Sequence, residues 1–167
     1  MKTLILIRHA KSNWNDAEKS DYERSLNARG LSDAPIMAKR LQQRLTEKEQ
    51  SIDAILSSSA QRADQTTRLL LTELNVSDQQ IDWRRDLYLA SPMTILKMIR
   101  MVTDDVQTLA VVAHNPGITE LAEQFTGEFL GNVPTCGIIT IALPINHWCD
   151  AGNWADLIHF DYPKKAP

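Results

Sequence analysis

The chain has 167 residues, of which 43% are hydrophobic and 23% charged, and its 18 basic against 21 acidic residues leave a formal charge of −3. This composition is typical of a globular protein and excludes a disordered, collagenous or coiled-coil chain. The net negative charge argues against a nucleic-acid partner, because no net positive field offsets the phosphates.

Targeting segments and cross-links are not expected either. Two cysteines, Cys136 and Cys149, are too few for a disulfide-rich secreted scaffold. No apolar run approaches the ~20 residues of a membrane span. The apolar run 4–7 stops at Arg8 and is too short for a signal peptide. We therefore predict a single domain over residues 1–167, located in the cytoplasm and without a membrane partner.

The hydrophobic pattern predicts strands and helices that alternate along the chain. A short apolar run indicates a strand at 3–7, and Gly30 then marks a turn. Helical spacing of apolar residues follows at 31–45, with Ser32 as the N-cap and Pro35 near the first turn. The next predicted elements are a strand at 52–56, a helix at 60–74, a short strand and loop within 81–89, a helix at 92–102, a strand at 109–113, a helix at 118–125, a strand at 138–143 and an edge strand at 154–160.

Apolar strands separated by helices predict βαβ units. The predicted fold class is therefore α/β, with a mainly parallel central sheet flanked by helices on both faces. In such sheets, ligands bind beyond the carboxyl ends of the strands.

Basic side chains follow the predicted parallel strands at these ends. Arg8 and His9 follow the first strand, Arg62 lies in the first turn of the helix after the second, and His114 follows the clearest strand of the chain. Two arginines, two histidines and helix N-termini at one edge predict an anion pocket, for which a phosphoryl group is the natural ligand.

These residue types also suggest a division of chemical roles. Each of the two arginines would form bidentate hydrogen bonds to phosphate oxygens. Both would also lower the pKa of a neighbouring histidine by like-charge repulsion. A neutral imidazole can attack phosphorus and form a covalent phosphohistidine. The second histidine is expected to be protonated and to stabilise the charge that develops in the transition state.

Several blocks of the sequence resemble one family. The segment Leu6-Ile7-Arg8-His9-Ala10-Lys11-Ser12 is similar to the signature of the histidine phosphatase superfamily, which includes the phosphoglycerate mutases, with Ala10 in place of the usual glycine. With Trp14, it resembles the small bacterial phosphohistidine phosphatases of the SixA type. Further blocks in the expected order lie at 25–31, 57–66, 86–88, 111–117, 134–135, 154 and 162–164. The resemblance implies a phosphoglycerate mutase-like fold in a minimal form, without a lid insertion.

The resemblance also implies roles for individual residues. His9 would accept the phosphoryl group, and His114 would be the second histidine of the pocket. The implied phosphate-binding residues are Arg8, Arg62, Asn15 and Ser12.

The proton donor is implied less directly. Asp86 resembles an acidic residue that often precedes Leu-Tyr in this subgroup, and Glu18 and Asp21 are the lesser candidates. The resemblance implies no metal and no other cofactor. The cysteines and His147 lack the spacing of a zinc site.

The chain is short for the superfamily, and the segments between its motifs leave no room for a lid. An open pocket suits a phosphoryl group on a protein surface, so the expected activity is removal of phosphate from phosphohistidine on a signalling or phosphotransfer protein, such as a histidine phosphotransfer domain. Two alternatives stay open at this point. One is a small-molecule phosphomonoesterase with the same chemistry, and the other is a non-catalytic phosphate-binding module.

Overall fold

The computed structural model describes residues 1–166, and its strands and helices alternate as predicted. They are β1 (Lys2–Arg8), α1 (Ala28–Glu47), β2 (Ala54–Ser58), α2 (Gln61–Leu71), β3 (Ile81–Arg84), α3 (Pro92–Arg100), β4 (Thr108–Ala113), α4 (Gly117–Thr126), β5 (Ile138–Leu143) and β6 (Asp156–Asp161). Single 3-10 turns lie at Asp78–Gln80, Arg85–Leu87 and Trp148–Asp150. Across residues 1–166, the helices are too short or too polar to cross a membrane.

All six strands form one sheet in the order β3-β2-β4-β1-β5-β6. The first four of these run parallel to one another, whereas β5 and β6 pair antiparallel. The predicted α/β fold with a mainly parallel sheet is therefore confirmed. Because β1, β2 and β4 are parallel, their carboxyl ends lie at the same edge of the sheet.

Helices cover both faces of the sheet, as predicted. Alternate residues of β1 contribute to two separate cores: Leu4 and Leu6 pack with α3 and α4, and Ile5 and Ile7 pack with α1 and α2. This explains why β1 is a continuous apolar run, since a central strand buried on both faces has no solvent-facing side.

Helix α1 begins earlier than predicted. Its N-cap is Asn27, whose side chain accepts a 2.9 Å hydrogen bond from the backbone N–H of Gly30, so Ser32 is not the cap. Gly30 is therefore helical rather than a turn residue, and Pro35 lies inside the helix. A Cβ on Gly30 would lie 2.1 Å from the carbonyl oxygen of Lys11. Glycine is needed here because the helix packs directly against the backbone that follows β1.

The segment between β1 and α1 is a loop with a closed base. The backbone N–H of Asn13 donates to the carbonyl oxygen of Ser25 at 2.8 Å, and that of Asn27 donates to Lys11 at 3.0 Å. Ser12 and Leu26 form an antiparallel bridge between these two bonds. The two ends of this segment, the β1–α1 loop, are therefore held together beside the carboxyl end of β1.

Candidate active site

The carboxyl edge of the sheet carries a cavity of about 280 Å³. Its walls include all four of the basic residues predicted to meet there: Arg8, His9, Arg62 and His114. Ser12, Trp14, Asp21 and Arg24 of the β1–α1 loop also line it, with Lys11, Leu89, Asn115 and Thr135. Parallel strands thus bring together residues that are up to 106 positions apart in the sequence.

His9 is held with one ring nitrogen free. Its Nδ1 lies 2.7 Å from the carbonyl oxygen of Ala10, and a carbonyl can only accept, so Nδ1 carries the proton. The lone pair of the neutral ring is then on Nε2. Burial, followed by the charges of Arg62 and Arg8, lowers the pKa of His9 to about 3. At neutral pH, His9 is a neutral imidazole with an unprotonated Nε2.

The backbone around His9 is fixed from three directions. Its N–H donates to the carbonyl oxygen of Ala113 at 3.1 Å, and its own carbonyl accepts from Cys136 at 3.0 Å. The next N–H, that of Ala10, donates to Thr66 Oγ1 on α2 at 2.9 Å. These bonds tie His9 to β4, to the segment before β5 and to α2, so its position is fixed by the scaffold.

His114 is the second histidine of the cavity, with its ring centroid 5.1 Å from that of His9. Its Nε2 lies 2.7 Å from the hydroxyl oxygen of Ser58, at the end of β2. Burial, together with the proximity of His9 and Arg62, lowers the pKa of His114 to about 2. The expectation of a protonated second histidine is wrong, because a residue that is only 1% exposed loses the solvation that a cation needs.

Arg62 and Arg8 reach the cavity with part of their hydrogen-bonding capacity unused. Arg62 donates from Nη1 to the carbonyl oxygen of Asp21 at 2.6 Å and from Nη2 to the carboxylate of the same residue at 3.1 Å. Arg8 donates from Nη1 to the carbonyl oxygen of Val133 at 2.8 Å. The Nε atoms of both arginines are buried without a partner, as is Nδ1 of His114. Arg8 and Arg62 therefore bring two guanidinium groups to the wall of the cavity.

Asp21 connects the β1–α1 loop to the pocket. Besides Arg62, its carboxylate pairs with Arg24 at 3.0 Å and accepts a short hydrogen bond from the Tyr88 hydroxyl. Partial burial would raise the pKa of Asp21, but the hydrogen bonds from Tyr88 and Arg24 and the charge of Arg62 outweigh burial and hold the pKa well below its usual range. Asp21 is therefore an ionised anchor for Arg62. The sequence gives a weak signal for this role, the i, i+3 spacing of Asp21 and Arg24.

The other predicted site residues are placed differently. Ser12 lines the cavity and accepts a hydrogen bond from Arg24. Asn15 and Glu18 are exposed on the β1–α1 loop and are not among the residues that line the cavity.

Asp86 also lies outside the cavity lining. It is in the turn after β3, where Leu87 points into the core and the half-exposed Asp86 carboxylate pairs with Arg84 at 3.3 Å. The hydrogen bond from Arg84 keeps its pKa below the usual value. The structure therefore does not place Asp86 among the basic residues that line the cavity. Within residues 1–166, there is also no cluster of three or more side chains suited to hold a metal ion.

Comparison with known proteins agrees with this geometry. Residues 4–87, half of the chain, match the sequence profile of the histidine phosphatase superfamily, branch 1. The chain belongs to the histidine phosphatase superfamily. It is a phosphatase of that superfamily, and its sheet and helices have the phosphoglycerate mutase-like arrangement that the resemblance implied.

Individual relatives match along nearly their whole length. An uncharacterized protein of Mycobacterium tuberculosis is 32% identical over 173 residues, which cover 95% of this chain and all of that one. The SixA protein of Agrobacterium tumefaciens is 28% identical, with a TM-score of 0.78 over 97% of this chain and 99% of that one. A protein histidine phosphatase SixA solved with tungstate has the same fold, at 22% identity and a TM-score of 0.74 over 93% of this chain and 96% of that one.

Proposed function

We propose that this phosphatase removes the phosphoryl group from phosphohistidine side chains of other proteins, through a covalent phosphohistidine at His9. The observation that carries the proposal is a neutral His9 with a free Nε2, in a cavity that Arg8, Arg62 and His114 also line. The nucleophile and the anion-binding groups thus share one cavity. The likeness to the SixA protein of Agrobacterium tumefaciens supports the choice of substrate class.

The chemistry balances without an added cofactor. The lone pair of His9 Nε2 attacks phosphorus while the P–N bond of the substrate breaks, and the electrons of that bond return to the nitrogen of the leaving imidazole. Water then attacks the phosphoryl group on His9, and breaking of the second P–N bond restores the neutral ring. The protons of the water are divided between the inorganic phosphate and the solvent.

The acid–base properties of the cavity favour a leaving group that needs no proton from the enzyme. Among the cavity-lining residues within 1–166, Asp21 is the one carboxylate, and three donors keep it ionised. An alkoxide leaving group needs a positioned acid. An imidazole of phosphohistidine that is protonated at its other nitrogen departs as a neutral molecule. The site is therefore better matched to a P–N bond than to an alkyl ester.

The rim of the cavity suits a phosphoryl group carried by a protein. Trp14 and Leu89 line the cavity and are nonetheless 71% and 57% exposed. Leu89 has a φ of 48°, a left-handed conformation that bulky residues rarely adopt and that is often found at functional positions. The guanidinium carbon of Arg24 lies 3.5 Å from the centroid of the Trp14 ring and covers one face of it.

Three finer points stay predictions: a histidine phosphotransfer domain as partner, a role in signal transduction and a location in the cytoplasm.

The experiment that tests the proposal is a substrate panel. We expect kcat/KM for a phosphohistidine protein to exceed that for alkyl phosphates by about 10²–10⁴-fold, which is the usual contribution of the positioned acid that an alkoxide needs. Inorganic phosphate release from both classes is measured beside the His9→Ala variant as the blank. Faster hydrolysis of a sugar phosphate than of every phosphohistidine protein would instead establish a small-molecule phosphomonoesterase. Binding without turnover would establish a non-catalytic module.

Two carboxylate variants test the role of each acid. Asp21→Asn should lower kcat/KM by a similar factor, about 10²-fold, for phosphohistidine, nitrophenyl phosphate and an alkyl phosphate. The substitution weakens the contacts that orient Arg62 and does not affect protonation of the leaving group. Asp86→Asn should stay close to wild type on all three and serves as the matched control. A loss confined to the alkyl phosphate would identify the mutated residue as a proton donor and would contradict this assignment.

A further inference from the structure

We infer that Ser58 is a positioning residue for the phosphoryl transfer: its hydroxyl donates its proton to Nε2 of His114 and thereby presents Nδ1–H of His114 as a donor to the phosphoryl group. The inference rests on the proposed function for its chemical meaning. The hydrogen bond itself, 2.7 Å between Ser58 Oγ and His114 Nε2, stands independently of the substrate.

The direction of this hydrogen bond follows from the capacity of the Ser58 hydroxyl. Ser58 is fully buried, and its Oγ already accepts a 3.2 Å hydrogen bond from the backbone N–H of Ala60. A serine hydroxyl has one proton to donate and two lone pairs. With one lone pair used by Ala60, the proton and the second lone pair remain for His114.

Only one of the two neutral forms of His114 gives the buried proton of the Ser58 hydroxyl an acceptor. If Nε2 carried the proton, Ser58 would accept twice and its own buried proton would have no acceptor. Nδ1 would then be a bare lone pair, buried without a partner, on a ring that lines the cavity. If Ser58 donates, its proton is paired and Nδ1 carries a hydrogen. A lone pair at Nδ1 would repel a phosphoryl oxygen, whereas an N–H donates to it.

The consequence is a pocket whose positive charge comes from its arginines. His114 then contributes a neutral N–H, in keeping with the pKa that burial lowers. A neutral donor holds product phosphate less strongly than a cation does, because charge-assisted hydrogen bonds are about twice as strong. Ser58 thus sets both the direction in which His114 donates and the balance between binding and release.

The neighbouring serine supplies a matched control. Ser57 is also fully buried on β2, but its hydroxyl lies 2.8 Å from Thr67 Oγ1 and donates to the carbonyl oxygen of Ser58 at 3.0 Å. Neither serine is among the residues that line the cavity. Ser57→Ala and Ser58→Ala remove the same atom from adjacent buried positions, and only the second removes a contact to His114.

The test is the tautomer of His114, read from long-range ¹H–¹⁵N spectra of the histidine rings of the full chain at neutral pH. The signals are assigned by their loss in His114→Ala. We expect the wild type to show a protonated Nδ1 and an unprotonated Nε2, and we expect Ser57→Ala to retain this pattern. Ser58→Ala should shift the ring toward the Nε2-protonated form and lower kcat by about 10-fold or more, since a lost oxyanion donor can reduce kcat by 10²–10³-fold.

A wild-type spectrum with Nε2 protonated would overturn the inference, even if Ser58→Ala fails to fold. Ser58→Ala with an unchanged tautomer and unchanged kcat would overturn it as well. The spectra require no turnover, so they test the role of Ser58 independently of the substrate. If only the proposed function fails, the tautomer is as expected and the substrate panel shows no preference for phosphohistidine.

Discussion

His9→Ala should abolish the phosphoenzyme and lower turnover on the order of 10⁴–10⁶-fold, the range found when a covalent nucleophile is removed. The reason is that Nε2 of His9 is the unprotonated ring nitrogen fixed in position beside the arginines. Rapid acid-free quenching of wild type with ³²P-labelled substrate should trap base-stable, acid-labile label on the protein. The variant should trap none.

The control for this measurement is another histidine of the same chain. His147 lies outside the cavity lining and pairs with Asp104 at 2.8 Å on the surface, so His147→Ala should label and turn over as wild type does. Label that persists undiminished in His9→Ala would show that a different side chain is the nucleophile.

Arg62→Ala should lower kcat/KM by about 10²–10⁴-fold, in keeping with the loss of a preorganised electrostatic contact. Arg62 is only 2% exposed and is held by two hydrogen bonds to Asp21, so its guanidinium is already oriented before the phosphoryl group arrives. Contacts to a loose, metaphosphate-like group strengthen as charge spreads over its oxygens, so kcat should fall more than KM rises. Steady-state kinetics with one phosphohistidine protein measure both.

Arg62→Lys should recover little of this activity, because an ammonium cannot bind Asp21 and a phosphate oxygen through a planar fork. The matched control is Arg68→Lys on the same helix, where an exposed arginine pairs with Asp64 at 2.7 Å. It should be close to wild type. Near-wild-type kinetics in Arg62→Lys would mean that the pocket needs only a positive charge at this position.

The sheet and its basic edge could be predicted because both depend on local pattern. β1 and β4 are continuous apolar runs, and residues directly after parallel strands must lie at one edge. Arg8, His9 and His114 needed no further information to be placed together. Arg62 followed from its position in the first turn of α2.

The contacts of the β1–α1 loop could not be predicted, because this segment has no hydrophobic period and its path depends on tertiary partners. Asp21 is separated from Arg62 by 41 residues and from Tyr88 by 67. Asp86 fitted a sequence block, but the orientation of its turn is set by burial of Leu87, which no motif encodes. The protonation state of His114 likewise depends on burial rather than on residue type.

The closed base of the β1–α1 loop has a consequence for how such enzymes diversify. Because Asn13 and Asn27 are bonded to Ser25 and Lys11, the chain leaves and rejoins the scaffold at nearly the same place. Loop entropy grows slowly with length, so added residues at an exposed tip strain little. The exposed stretch 15–19 can therefore lengthen while Arg8 and His9 keep their positions. Grafting at this tip offers a way to engineer new substrate preferences onto an unchanged reaction centre.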